Sequence, residues 1–360
     1  MKGIKPPPAI SVIIPMYNAE NYIADCLESI LNQTFENYEV ILVNDCSSDA
    51  GRQIAENYLG KFGGRLKIFD MNTPSGKPGV PRNKGLMLSR GEYIFFMDSD
   101  DFLAFTTAFE EMFTLARRFN ADLINYTGNY DANEDGSIVN AKYNKNYNST
   151  NKLMIDKNLA YRVKGVLENK FWCAPWRYFM KRDLIMENEL FFPHIRTAED
   201  QIFIRGVLFN AKILLIVPSA FYIHRKSFGS ITRRKKTFEL KVKDSLEAAI
   251  VGLKWLEKAM SKLTFFQKNP EYAYYVLEQF MFLRASQFLK TCSKNSNYEV
   301  YKSTRNMLGE QLGEHDVLFA VFCSLLKIQQ LSAERNIQEF NNFAVQAQNR
   351  IAELERQLNR

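Results

Sequence analysis

The sequence predicts an α/β protein: a mostly parallel sheet with helices on both faces, followed by a helical carboxyl-terminal region. Three observations carry that reading. Short β-branched or aromatic runs alternate with stretches whose apolar residues recur at helical spacing, the pattern of parallel strands joined by right-handed crossover helices. Each run ends in a polar loop, and the run Tyr93 to Met97 ends in Asp98, Asp100 and Asp101. From about Phe238 glycine and proline nearly vanish while helical periodicity continues.

Composition sets outer bounds. A chain of 360 residues holds one large domain or two ordinary ones, and 46% hydrophobic with 13% aromatic residues suits a sizeable core. The net charge of +7 is modest for this length and gives no ground for a nucleic-acid partner. The five cysteines are scattered without metal-ligand spacing, as expected of reduced thiols in a cytoplasmic protein. The segment Met1 to Ala9 is short, basic and proline-rich, unlike a secretory leader, and the apolar stretch Ile213 to Ile223 is too short to span a bilayer and is interrupted by Pro218. The expected location is the cytoplasm, with peripheral contact at the inner face of the cell membrane left open.

Taken in order, Ile10 to Pro15 reads as a buried strand, and Met16 to Asn21 as its carboxyl-end loop. Ile23, Leu27, Ile30 and Leu31 give helical spacing after a candidate N-cap at Asn21. Tyr38 to Val43 is a second strand followed by Asn44 and Asp45, then a helix over Ala50 to Leu59 and a third strand over Leu66 to Asp70. Three prolines and two glycines make Thr73 to Pro81 a loop, and Arg82 to Arg90 reads as a helix leading into the Tyr93 strand. Phe105 to Phe119 is helical by pattern, Asp122 to Tyr126 is a strand, and Asn129 to Asn151 is a surface excursion or hairpin. Trp172 to Asn188 is aromatic and basic, Ala198-Glu199-Asp200 opens an apolar helix, and Ile213 to Ile223 reads as one strand. Arg225 to Lys236 carries six basic residues and no acid. Near the end, Ile337, Ala344, Ile351 and Leu358 recur every seven residues with Phe340, Ala347 and Leu354 between them, an a/d heptad that predicts a coiled coil and association of copies; the competing reading is a lone amphipathic helix packed on its own domain, which would need a wider apolar stripe. The predicted divisions are 1–236, 237–328 and 329–360.

Three strand ends meet on one sheet edge in this topology, where open α/β sheets bind ligands: Pro15 to Asn18, Asp45, and Asp98 to Asp100. Clustered carboxylates repel one another unless a cation is present, and a hard divalent ion takes oxygen ligands of this kind. The bland alternatives are an Asx-turn at Asp45 and a solvated acidic turn after a core strand.

Five stretches carry a resemblance. Ser11 to Asn18, Leu27 to Thr34, Glu39 to Asp49, Pro81 to Leu86 and Gly91 to Asp101 together resemble glycosyltransferase family 2, over roughly residues 9 to 235. The resemblance implies a GT-A fold, a nucleotide-sugar donor that for this family is commonly UDP-linked, a divalent metal (Mn2+ or Mg2+) and inversion at the anomeric carbon. It implies that Pro15, Tyr17, Asn18, Glu20 and Asp45 surround the base and ribose, that Arg82 and Asn83 face the nucleotide, and that Asp98, Ser99 and Asp100 form the Asp-x-Asp motif. Asp100 is then the direct metal ligand, Asp98 the ribose or water-mediated partner, and His224 a further metal or phosphate contact. Asp200 is the implied base and Glu199 positions the acceptor or the loop, where the competing reading is two acids favoured by a helix amino terminus. Arg225 and Ser230 lie in a segment that would close over the diphosphate. Trp172 and Trp176 are an acceptor platform on one reading and core aromatics on the other.

The expected function is synthesis of a bacterial surface glycan, such as a capsule, lipopolysaccharide or teichoic-type polymer, on a glycan or lipid-linked acceptor. Two competitors stay in view. A nucleotidyltransferase also uses carboxylate-held metal, but no glycine-rich phosphate loop follows the first strand. A catalytically degenerate scaffold acting through the carboxyl-terminal helices would not need Asp98, Asp100 and Asp200.

Overall fold

The computed structural model describes residues 6–143, 153–227 and 236–292. The heptad segment 329–360 lies outside the described residues. These divide into two compact units: those of Met1–Leu159 and Lys170–Arg234, and those of Ala160–Asn169 and Lys235–Arg360.

In the first unit β1 (Ile10–Met16), α1 (Ile23–Leu31), β2 (Tyr38–Asn44), α2 (Gly51–Glu56), β3 (Leu66–Asp70), α3 (Gly79–Leu88) and β4 (Tyr93–Phe96) alternate in sequence. β2 and β4 are buried throughout and β1 at all but Pro15, which is why they read as mostly apolar runs; the buried Ser11 Oγ donates to Glu39 Oε1. Then come β5 (Phe102–Leu103), α4 (Ala108–Phe119), β6 (Leu123–Tyr126), the antiparallel pair β7 (Gly128–Ala132) and β8 (Ile138–Tyr143), and β9 (Met154–Asp156). After α5 (Leu159–Leu167) the chain forms β10 (Tyr178–Lys181), α6 (Arg182–Glu187), α7 (Glu199–Asn210), β11 (Leu214–Val217) and β12 (Tyr222–Arg225).

The large sheet has the order β3-β2-β1-β4-β10-β6-β11-β9. β3, β2, β1 and β4 pair in parallel, β11 is parallel to β6, and β10 and β9 run antiparallel to their neighbours. Val12 and Ile14 of β1 pack with Ile23, Leu27 and Ile30 of α1 and Phe109 of α4. On the other face α3 lies so close to β1 that a side chain at Gly85 would collide with Ile13, and one at Gly79 would sit 2.7 Å from Phe192 Cβ. Those two glycines fix the height of α3 over the sheet, and with it the position of Arg82.

A second sheet, β5-β12-β7-β8, stands beside the first within the unit. It corrects the expectation of one strand over Ile213 to Ile223. Pro218 has no N–H to continue a ladder, so the chain leaves β11 there and re-enters as β12 in the other sheet. Two helix starts also differ. α1 has Tyr22 at its N-cap with no side-chain cap bond, so Asn21 does not cap it. α3 begins at Gly79 and takes Pro81 into its first turn, where a missing N–H costs nothing.

The second unit contains most of α5, with α8 (Phe238–Ser261), α9 (Thr264–Lys268) and α10 (Pro270–Cys292). Thr237 caps α8 by accepting from the Leu240 N–H, as a threonine N-cap should. Val242 and Phe288 pack together, and Gln279 Nε2 donates to Val166 O and Asn169 Oδ1, tying α10 to the end of α5.

Candidate functional site

The loops after β1 and β2 brace each other. Asn18 and Cys46 both adopt left-handed backbone, with φ of 52° and 58°, a conformation that costs a non-glycine residue about 1 kcal/mol or more. Asn18 N–H donates to Ser47 Oγ at 3.0 Å and Asn18 Oδ1 accepts from Ser48 N–H at 2.8 Å. Glu20 Oε2 accepts from Ala50 N–H and Glu20 N–H donates to Asp49 Oδ2. Asn18 and Glu20 thus shape the turn, while Tyr17 stands 41% exposed and Pro15 closes the strand opposite Val43. Asp45 is buried, and its two oxygens accept from Ser75 N–H at 2.8 Å and Ser75 Oγ at 2.7 Å. Lys77, two residues on, donates through Nζ to His194 O at 2.7 Å. The proline-rich loop therefore runs from Asp45 to the segment leading into α7.

The acidic loop after β4 is held from two sides. Asp101 is buried; its oxygens accept from Tyr222 Oη and Arg225 N–H, both at 2.8 Å. Tyr222 Oη also accepts from Asp98 N–H at 3.0 Å. Burial, with Asp100 and Asp98 close by, pushes the Asp101 carboxyl well above the usual range. Asp101 is thus a fastening between the loop and β12. Asp100 Oδ2 accepts from Ser227 Oγ at 2.5 Å. Burial and then Asp98 raise its pKa, against the pull of Ser227. Ser99, between the two acids, is buried.

Arg82 joins this loop to the start of α7. Its Nη2 donates to Asp98 Oδ1 at 2.9 Å and its Nη1 to Asp200 Oδ1 at 3.0 Å, with Glu199 Oε1 3.6 Å from Nη1. Burial works against the guanidinium charge, but Asp200, Asp98 and Glu199 outweigh it and hold its pKa above the ordinary value. Burial raises the Asp200 carboxyl to about 6, opposed by Arg82 and assisted by Asp98. Burial followed by the Asp200 charge raises Glu199 to about 8. The residue before them, Ala198, has φ of 67°, a left-handed alanine that aims both acids from the first turn of α7.

His224 stacks on Trp176 at 5.9 Å between ring centroids, and Trp176 stacks on Tyr222 at 4.4 Å. Arg177 lies between Trp172 and Trp176, 3.8 and 4.5 Å from their ring centroids. It also bonds Asn129 Oδ1 and Tyr126 O, and burial lowers its pKa to about 9. The tryptophans therefore frame a buried cation next to the ring that holds Asp98 and Asp101.

Two residues expected at the nucleotide or diphosphate hold partners within the chain. Asn83 engages its amide on the backbone: Nδ2 donates to Phe192 O and Oδ1 accepts from Phe192 N–H, both at 2.8 Å, in a buried clamp. Arg225 does not lie on the surface. It is buried, pairs with Asp25 at 2.6 Å, donates to Glu134 O, and lies over the Tyr22 and Phe102 rings. Ser230 lies outside the described residues. The residues that sequence reasoning missed are Ser75, Lys77, Arg177, Tyr222 and Ser227. Each acts across a long chain separation.

Among the described residues no three acids or histidines gather to hold a metal by protein groups alone. The donor set still fits a hard cation. Asp98, Glu199 and Asp200 surround one guanidinium, and Asp100 lies close enough to Asp98 for their charges to repel. Mg2+ is usually bound by one or two carboxylates plus substrate phosphates and waters.

Part of the chain is similar to known proteins. Residues 11–166 match the family model Glycosyl transferase family 2. EpsH of Bacillus subtilis is 32% identical over 237 residues, 64% of this chain and 65% of that protein. The poly(ribitol-phosphate) beta-N-acetylglucosaminyltransferase TarP of Staphylococcus aureus is 32% identical over 206 residues, 56% of this chain and 58% of that protein. The match thus spans less than two thirds of either relative. The crystal structure of S. aureus TarS with UDP-GlcNAc superposes with a TM-score of 0.57 at 21% identity, over 92% of this chain and 91% of that one, a likeness of fold. Residues 11–166 thus match the glycosyl transferase family 2 model, and the chain is similar over that stretch to these glycosyltransferases.

Proposed function

We propose that this chain is a metal-dependent, inverting glycosyltransferase that moves a sugar from a UDP-sugar to a surface-glycan acceptor. One observation carries the reading: a single guanidinium holds Asp98 of the acidic loop and Asp200 of α7 in one cluster. Donor-binding and proton-accepting groups then belong to the same site. The relatives named for poly(ribitol-phosphate) glycosylation support a polymer of the cell surface as acceptor and UDP-GlcNAc as the first donor to try.

In the proposed reaction Tyr17 and Asp45 take the base and ribose. Asp200 accepts the proton of the acceptor hydroxyl as its oxygen attacks the anomeric carbon. The sugar–phosphate bond breaks on the opposite side, so configuration inverts. Asp100, with Asp98 and His224 beside it, would hold the divalent ion, whose charge stabilises the departing diphosphate. A base with a pKa near 6 is ionised at neutral pH yet still basic enough to take a proton. Glu199, raised further, stays protonated beside it and limits the negative charge around Asp200.

Association through the 329–360 heptad belongs to the proposal on sequence alone; light scattering of a chain ending near 330 tests it, a lower mass being expected. The function itself is tested by incubation with UDP-sugars and Mn2+ or Mg2+. Release of UDP supports it. Release of pyrophosphate identifies a nucleotidyltransferase instead, and no turnover with any donor favours a scaffold.

A further inference from the structure

Arg82 reaches from α3 across the carboxyl edge of the sheet, and its side chain is only 7% exposed. It does not grip one carboxylate with both arms of its fork. One arm takes Asp98 Oδ1 and the other Asp200 Oδ1, while the buried Nε has no hydrogen-bond partner. The strongest arginine contacts are bidentate, to the paired oxygens of one carboxylate or phosphate. A diphosphate offers that geometry; the split grip on Asp98 and Asp200 does not. The helix beneath is fixed by the close approaches of Gly79 and Gly85 and by the Asn83 clamp on Phe192. A change of partner at Arg82 is therefore a side-chain movement.

We infer that Arg82 is a positioning residue for which Asp200 and the diphosphate of the donor compete, so that donor binding releases the base. This rests on the nucleotide-sugar reading of the site given above. While Arg82 holds Asp200 Oδ1, that oxygen is engaged and turned from an incoming hydroxyl. Once Arg82 takes the diphosphate, Asp200 is free to accept the acceptor's proton. The donor is then bound before the acceptor is activated. Glu199, 3.6 Å from Nη1, takes no comparable share in the competition.

The competition has a signature in binding that a purely structural arginine lacks. UDP is titrated by calorimetry at one fixed Mg2+ concentration into the full chain and its variants. Asp200→Asn removes the competitor and should tighten UDP about five-fold, the effect of one ion pair near a surface. Glu199→Gln replaces the neighbouring acid, which is protonated and makes no hydrogen bond to Arg82, and should change the affinity less than about two-fold. In an Arg82→Gln background the Asp200→Asn gain should vanish, and in Arg82→Lys, which keeps charge without the fork, it should shrink. Arg82→Lys decides the matter if Arg82→Gln does not fold. An unchanged or weaker affinity in Asp200→Asn overturns the inference. So does a gain that persists without Arg82, since relief of charge repulsion would then explain it. If the wild-type chain binds no UDP, the nucleotide reading fails and takes this inference with it. If it binds UDP and Asp200→Asn does not respond, the inference alone is overturned.

Discussion

Replacing Asn83 by alanine separates two accounts of the Pro81 to Leu86 stretch. By resemblance Asn83 faces the nucleotide; by geometry it clamps the chain leading to Asp200. Both of its bonds to Phe192 are 2.8 Å and buried. Each backbone group left without a partner costs about 1–3 kcal/mol, so Asn83→Ala should lose at least about 2 kcal/mol. For a unit of roughly 200 residues, each kcal/mol lowers Tm by about 2–4 °C. Thermal unfolding should therefore show a drop of at least about 4 °C by that scaling. Asn83→Asp keeps one acceptor and loses the donor, and should fall between the two. Well below the lowered Tm, UDP affinity should stay within about two-fold of wild type, since no bond to the nucleotide is removed. Transfer should fall further, because a shift of about 1 Å at Asp200 is enough to cost about a hundred-fold. A variant with wild-type Tm and lost UDP binding would refute the clamp and restore the nucleotide-facing role.

Other outcomes follow from the same geometry. Asp200 must be ionised to act, so kcat/KM should be full above pH of about 6 and fall about ten-fold per pH unit below it; a flat profile down to pH 4 would contradict the base assignment. Glu199 sits far above its ordinary value of 4.5, at about 8, so the folded chain should lose stability as pH rises between those values, and Glu199→Gln should flatten that loss in Tm. Asp101→Ala strands Tyr222 Oη and the Arg225 N–H and should cost about 2–5 kcal/mol in denaturant unfolding; a cost below about 1 kcal/mol would mean water replaces the carboxylate. Chelation with EDTA should abolish transfer and Mn2+ or Mg2+ restore it, with Asp100→Asn raising the metal concentration required.

Much of the fold was legible because its central strands are buried on both faces. Ile10 to Pro15, Tyr38 to Val43 and Tyr93 to Phe96 leave no room for a polar residue facing water, and their carboxyl ends mark one sheet edge. The antiparallel entry of β10 between β4 and β6 was not legible, since nothing local in Tyr178 to Lys181 states its partner or direction. Pro218 was visible, but its effect was underestimated: it moves the chain from one sheet to another. At the site, the acids declared themselves by clustering, whereas their fastenings did not. Tyr222 and Ser227 reach the acidic loop across more than a hundred residues. Arg225 misled for a physical reason. It sits in a basic run that reads as solvated, yet Asp25 and the rings of Tyr22 and Phe102 draw it inside.

The most direct test of the central claim is the nucleotide product released from a panel of nucleotide sugars by the wild-type chain and by Asp200→Asn. UDP should accumulate with the wild type and fall by about 10²–10⁴-fold in the variant, the usual worth of a positioned base, while the variant still binds UDP. Pyrophosphate as the product, or undiminished UDP release by Asp200→Asn, would contradict it.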